Sequence, residues 1–184
     1  RTGRRVTTND YSSADYYYVN KSSLPKVYGG FNTSLSWKGF DLSAIFAYSI
    51  GGYIYNRDIT MILHNGSLEG RDWSTEILKR WTPDNRYTDV PALSTTSNNW
   101  NSASTRFLQN NSYMRLKNLT LSYNLPKQWI SKLSLSSVQV YVQGDNLFTI
   151  HRNQGLDPEQ GITGITYYRY PAMRTISGGI NVSF

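Results

Sequence analysis

A strict two-residue alternation constrains this chain more than any other feature. From Val27 the odd positions read Val27, Gly29, Phe31, Thr33, Leu35, Trp37, while the even ones read Tyr28, Gly30, Asn32, Ser34, Ser36, Lys38. Side chains of an extended strand point to opposite faces in turn, so this period gives a strand with one apolar and one small, polar face. After a tight Lys38-Gly39 turn the apolar set continues as Phe40, Leu42, Ala44, Phe46, Tyr48, Ile50, which predicts a long hairpin. Three further segments alternate in the same way: Leu119, Leu121, Tyr123, Leu125, stopped by Pro126; Val138, Val140, Val142; and Ile176, Gly178, Ile180, Val182, Phe184. Between Met114/Leu116 and Leu119/Leu121 the apolar phase shifts by one residue, which predicts a bulge. The expected fold is therefore all-β and antiparallel, with short turns on one side and long loops on the other. Residues 57–111 form the longest connection and predict one short loop helix over Asp72–Trp81, with Asp72 as N-cap, Trp73, Ile77 and Trp81 on one face and Pro83 beyond its end.

An apolar strand face can be covered by a second sheet, as in a soluble sandwich, or by lipid. Eleven residues at ~3.3 Å each, tilted by ~40°, span roughly 28 Å, close to the ~25 Å apolar band of an outer-membrane barrel. Trp37, Phe40, Tyr123 and Phe184 all fall at the short-turn ends of their strands, as an interfacial girdle would. The polar face is Ser, Asn, Gln, Thr and Gly, with Lys38 and Asp41 only at the turn, which suits a lumen better than a water-facing sheet. These features favour a transmembrane β-barrel segment of about five to six strands. So few strands cannot close a barrel, and unpaired edges in lipid cost several kcal/mol per backbone group, so the other strands must come from elsewhere. The chain begins Arg-Thr-Gly-Arg-Arg, without Met or an apolar leader, and is expected to be part of something longer.

The remaining composition excludes several classes. No apolar run approaches the ~18 residues of a membrane-spanning helix. The absence of Cys excludes disulfide scaffolds, thiolate zinc sites and Cys nucleophiles. The net charge of +7 is shared between residues 1–26 and 112–184, and its tightest cluster, Arg1, Arg4 and Arg5, reads as a solvated tail; no nucleic-acid partner is expected. His64 and His151 lack any metal-ligand spacing and read as solvated loop histidines. No G-x-S-x-G, phosphate-binding or dinucleotide motif is present. Glu69, Asp72, Glu76, Asp157 and Glu159 read as loop and helix-surface carboxylates. Asp157 and Glu159 around Pro158 could either hold Ca²⁺ or close a turn. The chain is thus expected to be no enzyme and to use no cofactor or metal. Ligand or partner contact falls instead to the loop aromatics Tyr16, Tyr17, Tyr18, Trp73, Trp81, Trp100, Tyr167 and Tyr168, whose rings can pack on the C–H faces of sugars. Asn98, Asn99, Asn101, Asn110 and Asn111 supply neutral donors and acceptors beside them.

Residues Leu24–Phe31, Trp37-Lys38-Gly39-Phe40-Asp41-Leu42 and Tyr48-Ser49-Ile50-Gly51-Gly52, followed by Ile54-Tyr55-Asn56, resemble the late barrel of SusC/RagA-type TonB-dependent transporters of Bacteroidetes. Ser74–Asn85 is similar to that family's loop helix, and Asn111–Tyr123 to its most recognisable barrel signature. Gly144–Phe148, Gly155-Leu156-Asp157-Pro158-Glu159 and Tyr170-Pro171 with Arg174 continue the same order. The resemblance implies a barrel of about 22 strands around an N-terminal plug, driven by TonB and covered by a SusD-like lipoprotein lid in the outer membrane of a Gram-negative cell. It implies import of a nutrient, an oligosaccharide in the first place and an oligopeptide as the alternative. Residues 1–25 would be an extracellular tail and 26–184 the C-terminal strands and loops. Phe184 would also serve as the assembly signal. Outside that family, a soluble carbohydrate-binding sandwich is the competing expectation.

Overall fold

The computed structural model describes residues 8–66, 68–94, 96, 99–159 and 161–184, so the Arg1, Arg4, Arg5 cluster and Asn98 lie outside the described residues. In chain order the elements are β1 (Val27–Trp37), β2 (Phe40–Ile50), β3 (Tyr53–Asn56), α1 (Arg57–Ile62), β4 (Leu108–Asn110), β5 (Tyr113–Asn124), α2 (Lys127–Ile130), β6 (Ser137–His151), β7 (Ile165–Thr166) and β8 (Thr175–Ser183). The five long strands form one antiparallel sheet in the order β1-β2-β5-β6-β8. Lys38 and Gly39 both take positive φ, 47° and 88°, in the two-residue turn that sets Trp37 opposite Phe40. The predicted phase shift is a bulge in β5: Leu116 faces Phe46 and Asn118 faces Ile45, leaving Lys117 between them. Against β6 the extra residue lies on the other strand: Leu116 pairs with Phe148 and Asn118 with Asp145, so Asn146 and Leu147 stand opposite Lys117.

Contacts divide the chain into two compact units. The sheet unit comprises Ser22–Tyr53, Asn110–Thr163 and Tyr170–Phe184; the loop unit comprises the described residues up to Lys21, Ile54–Gln109 and Gly164–Arg169.

In the sheet unit the apolar set is exposed rather than packed. Phe31 is 48% accessible, Leu35 67% and Ile180 65%, and Phe46 is half-buried against Phe31, the two rings stacked at 4.7 Å. A sandwich would bury these residues in a two-sheet core, so that expectation fails. The opposite face is tied across strands by polar side chains. Asn181 donates to Gln139 Oε1 at 3.2 Å, Gln139 to Ser122 Oγ at 3.3 Å, and Asn118 to Asp145 Oδ1 at 2.8 Å. Asn32 and Ser34 on that face are also open, as expected of a single layer. Among the described residues β1 and β8 each pair on one side only, so the sheet is open at both edges. Close approach explains Gly179: a Cβ there would lie 2.7 Å from the Tyr141 hydroxyl, whose ring covers it from the neighbouring strand.

The loop unit has a small core of the ordinary kind, in which Ile54, Ile77, Val90 and Phe107 are all buried. Its short strands form a separate three-stranded sheet, β4-β3-β7, with β3 and β7 parallel. The helix expected over Asp72–Trp81 is a shorter 3₁₀ turn, Thr75–Lys79, capped by Ser74 rather than Asp72; the Ser74 side chain accepts from Glu76 N–H. Flanking hydrogen bonds keep the ends from winding further, because Ser74 N–H donates to Ile62 O and Trp81 N–H to Val90 O, both at 2.8 Å. Of the predicted face only Ile77 is buried, while Trp73 and Trp81 are each 44% exposed.

Candidate functional site

All eight loop aromatics expected to meet a ligand or partner fall in the loop unit. They do not form one cluster. Tyr16 and Tyr17 line a groove with Tyr11 and Tyr55, whereas Tyr18 points into solvent. Tyr167 and Tyr168 pack with ring centroids 4.1 Å apart and planes tilted by 48°; the Arg57 guanidinium lies 4.7 Å over Tyr167, and Arg71 donates to the Tyr168 hydroxyl at 3.3 Å. Asp58 holds this pair in place by accepting from Tyr168 N–H at 3.0 Å, and Tyr168 takes a positive φ of 49°. Trp100 donates its indole N–H to the Leu63 carbonyl, and Arg106 stacks on the ring at 3.5 Å. Trp81 is held through its backbone. Asn99 is exposed and Asn101 half-buried in this unit; Asn110, the last residue of β4, and Asn111, just before β5, are half-buried in the sheet unit.

His64 corrects an expectation. It is 1% exposed, with Nδ1 accepting from the Trp73 indole at 3.0 Å, so it is a packed and not a solvated histidine. An acceptor that completes a Trp N–H leaves no mark in sequence spacing. His151 ends β6, exposed, with Nδ1 2.9 Å from the Asn153 carbonyl.

The sheet unit contains a charged cluster that sequence reasoning assigned only in part. Arg115, on β5, is 3% exposed and reaches Asp157 Oδ1 at 2.6 Å, Glu159 Oε2 at 2.8 Å and Thr149 Oγ1 at 3.0 Å. Lys117, the bulged residue, reaches the same Glu159 at 2.6 Å. Asp157 also accepts from the backbone N–H groups of Glu159 and Ala172, at 2.8 and 2.7 Å. Burial pushes the Asp157 carboxyl pKa up, but these two N–H groups and the Arg115 guanidinium outweigh that and hold it below the usual carboxylate range. In the structure Arg115 and Lys117 pair with both carboxylates and clasp the β6–β8 loop to β5. Asn111 reinforces the clasp, donating to Pro158 O at 2.8 Å and accepting from Asn153 at 2.9 Å. Glu76 is likewise paired, with Lys79 at 2.8 Å. Among the described residues no group of three His, Cys, Asp or Glu could hold a metal ion.

Trp37, Phe40 and Tyr123 stand in register across three strands at the short-turn end, with the Phe40 and Tyr123 rings 4.5 Å apart. Phe184, 92% exposed, follows β8 at that same end.

No family model matches the sequence. The chain is 33% identical to TonB-dependent receptor P3 of Formosa agariphila over 95% of its own length, and 27% identical to TonB-dependent receptor SusC of Bacteroides thetaiotaomicron over 91%. It superposes on the RagAB peptide importer in its open-open state with a TM-score of 0.85 and 36% identity, covering 97% of this chain and 19% of that one. It spans 18% of the first relative and 16% of the second. These relatives are receptors and transporters, not enzymes, and they bear out the SusC/RagA-type resemblance along nearly the whole chain.

Proposed function

Since this chain's relatives are SusC/RagA-type TonB-dependent receptors, we propose that it is the C-terminal strand-and-loop portion of such an importer, seated in the outer membrane of a Gram-negative bacterium. Residues 26–184 then supply strands and outer loops of a plugged barrel and 1–25 an extracellular tail. The plug, the contact with TonB and the remaining strands come from the rest of the protein, and they pair with the open edges of β1 and β8. A SusD-like lipoprotein covers the outer loops. The nutrient is captured between loops and lid, and TonB displaces the plug to let it through.

One observation carries this reading: long strands bear an apolar face that the chain leaves exposed, with a polar, hydrogen-bonded face behind it. Lipid is the solvent that makes such a face favourable, at roughly 25 cal/mol per Å² kept from water. Single cysteines in the full-length receptor test it. Spin-labelled at Leu35, Val140 and Ile180, they should be relaxed more by dissolved oxygen than by a water-soluble nickel chelate; the reverse pattern would refute a lipid-facing surface.

The nutrient we favour is an oligosaccharide, supported by the exposed tyrosine and tryptophan rings beside neutral amides in the loop unit. An oligopeptide is the second reading, favoured by the likeness to RagAB. TonB-dependent accumulation of labelled oligosaccharide against labelled peptide separates the two.

A further inference from the structure

The loop unit carries a groove of about 400 Å³ lined by Tyr11, Tyr16, Tyr17 and Tyr55 together with Val19 and Leu108, Tyr16 and Tyr17 standing exposed at it. Its two sides are tied together: Tyr11 donates its hydroxyl to the Ala103 carbonyl at 2.7 Å, and the Asn99 side chain donates to the Asn9 carbonyl. Tyr55 is fixed from behind, because β3 pairs with β7 and the Phe107 ring meets Tyr55 edge-on at 6.2 Å. Among the described residues lining the groove, Asp15 alone carries a charge. A second groove of about 580 Å³ shares Tyr55 and Ala103 with the first, and there Arg57 alone is charged. The two hollows are opposite in sign across one tyrosine.

The chemistry of the first groove is selective. Phenol ring faces present negative potential, and a carboxylate among them adds a full negative charge, so both features attract a cation and repel an anion. A neutral sugar could stack on the rings but would gain nothing ionic from Asp15. We infer that this tyrosine-lined groove binds its ligand through an ammonium group carried on a C–H-rich body. An unacetylated amino sugar and the free N-terminus of a peptide both offer that chemistry. The inference rests on the importer reading and narrows its ligand.

Binding to the purified full-length receptor tests it, with two pairs of probes: the glucosamine trimer against its fully N-acetylated form, and trialanine against N-acetyl-trialanine. In at least one pair the free amine should bind about fivefold to tenfold more tightly than the acetylated partner, the size expected of one partly exposed cation contact. Asp15→Asn should abolish that preference and Asp15→Glu should keep it, while the affinity for acetylated probes stays the same. Preference in the sugar pair identifies the amino-sugar source and preference in the peptide pair the peptide source; both support the inference. Equal binding within both pairs, or a preference that survives Asp15→Asn, overturns it. Because binding is read without transport, this result is independent of whether TonB-dependent uptake succeeds.

Discussion

The two units of this chain are built inside out relative to each other. The loop unit buries Ile54, Ile77, Val90 and Phe107, as a domain in water does. In the sheet unit the long strands expose Leu35, Trp37, Ile176 and Ile180, while the deeply buried residues include Arg115, Ser122 and Asn153. The large apolar side chains thus follow different burial rules in the two parts of one polypeptide. On the importer reading, what differs is the solvent on the outer side. Water drives apolar groups together in the loop unit, whereas a sheet with lipid on one face gains nothing by hiding them and must instead satisfy polar groups on the other face.

The largest expected effect lies in the sheet unit's buried charges. Arg115→Ala leaves Asp157 uncompensated and should loosen the β6–β8 loop by about 3–5 kcal/mol, seen as accelerated hydrogen exchange over 152–174. The pH dependence has a defined sign. A carboxyl whose folded pKa lies below its unfolded value of about 3.9 contributes stability that is complete above that value and is lost as pH falls through the folded one. Protection of this loop, taken relative to the intrinsic exchange rate at each pH, should therefore be flat from neutral pH to about 5 and fall in stronger acid, and Asp157→Asn should remove the fall.

A comparable cost falls on the other unit. Phe107→Ala, at a site 2% exposed, should cost about 3–5 kcal/mol. Its effect should stay local: proteolysis within 57–109 should speed up while heat-modifiability of the assembled receptor is unchanged. Loss of assembly as well would mean that the two units do not obey separate rules.

Next in size is the contrast across one strand. Phe31→Arg, at the middle of β1, puts a charge on the proposed lipid face and should cost about 2–4 kcal/mol, whereas Asn32→Arg, one residue away on the polar face, should cost under about 1 kcal/mol. Urea midpoints of the folded full-length receptor measure both. Equal losses would erase the distinction between the two faces.

That distinction is also what made the sheet legible in sequence. Alternation is imposed residue by residue, so the Val27–Trp37 and Phe40–Ile50 strands, their Lys38-Gly39 turn and the Lys117 bulge could all be read from the phase of Phe, Leu, Val and Ile. The loop unit follows another logic. β3 and β7 meet across a long stretch of intervening chain, through Tyr55 and Ile165, and each is too short to show a period. Six-residue α1 and the 3₁₀ turn at Thr75–Lys79 depend on side-chain caps and on distant carbonyls such as Val90 O. His64 was misplaced for the same reason, since its burial is decided by the Trp73 indole. Of the site, residue types were legible but grouping was not: Tyr16 and Tyr17 join Tyr11 and Tyr55, which periodicity never marked.

The smallest expected difference concerns the aromatic girdle, and it separates contact from assembly. Phe40 is tilted against Tyr123 at 4.5 Å, whereas Phe184 is 92% exposed with no ring partner among the described residues. If contact alone set their worth, Phe40→Ala would lose the ring pair, about 0.5–1.5 kcal/mol beyond its buried area, and Phe184→Ala would lose less. An assembly role for Phe184 reverses the order of yield without reversing the order of stability. In the full-length receptor Phe184→Ala should then reduce the amount reaching the outer membrane more than Phe40→Ala does, while the molecules that do assemble melt closer to the unmodified receptor. Yield and melting that fall together, and further for Phe40→Ala, would make Phe184 an ordinary girdle residue.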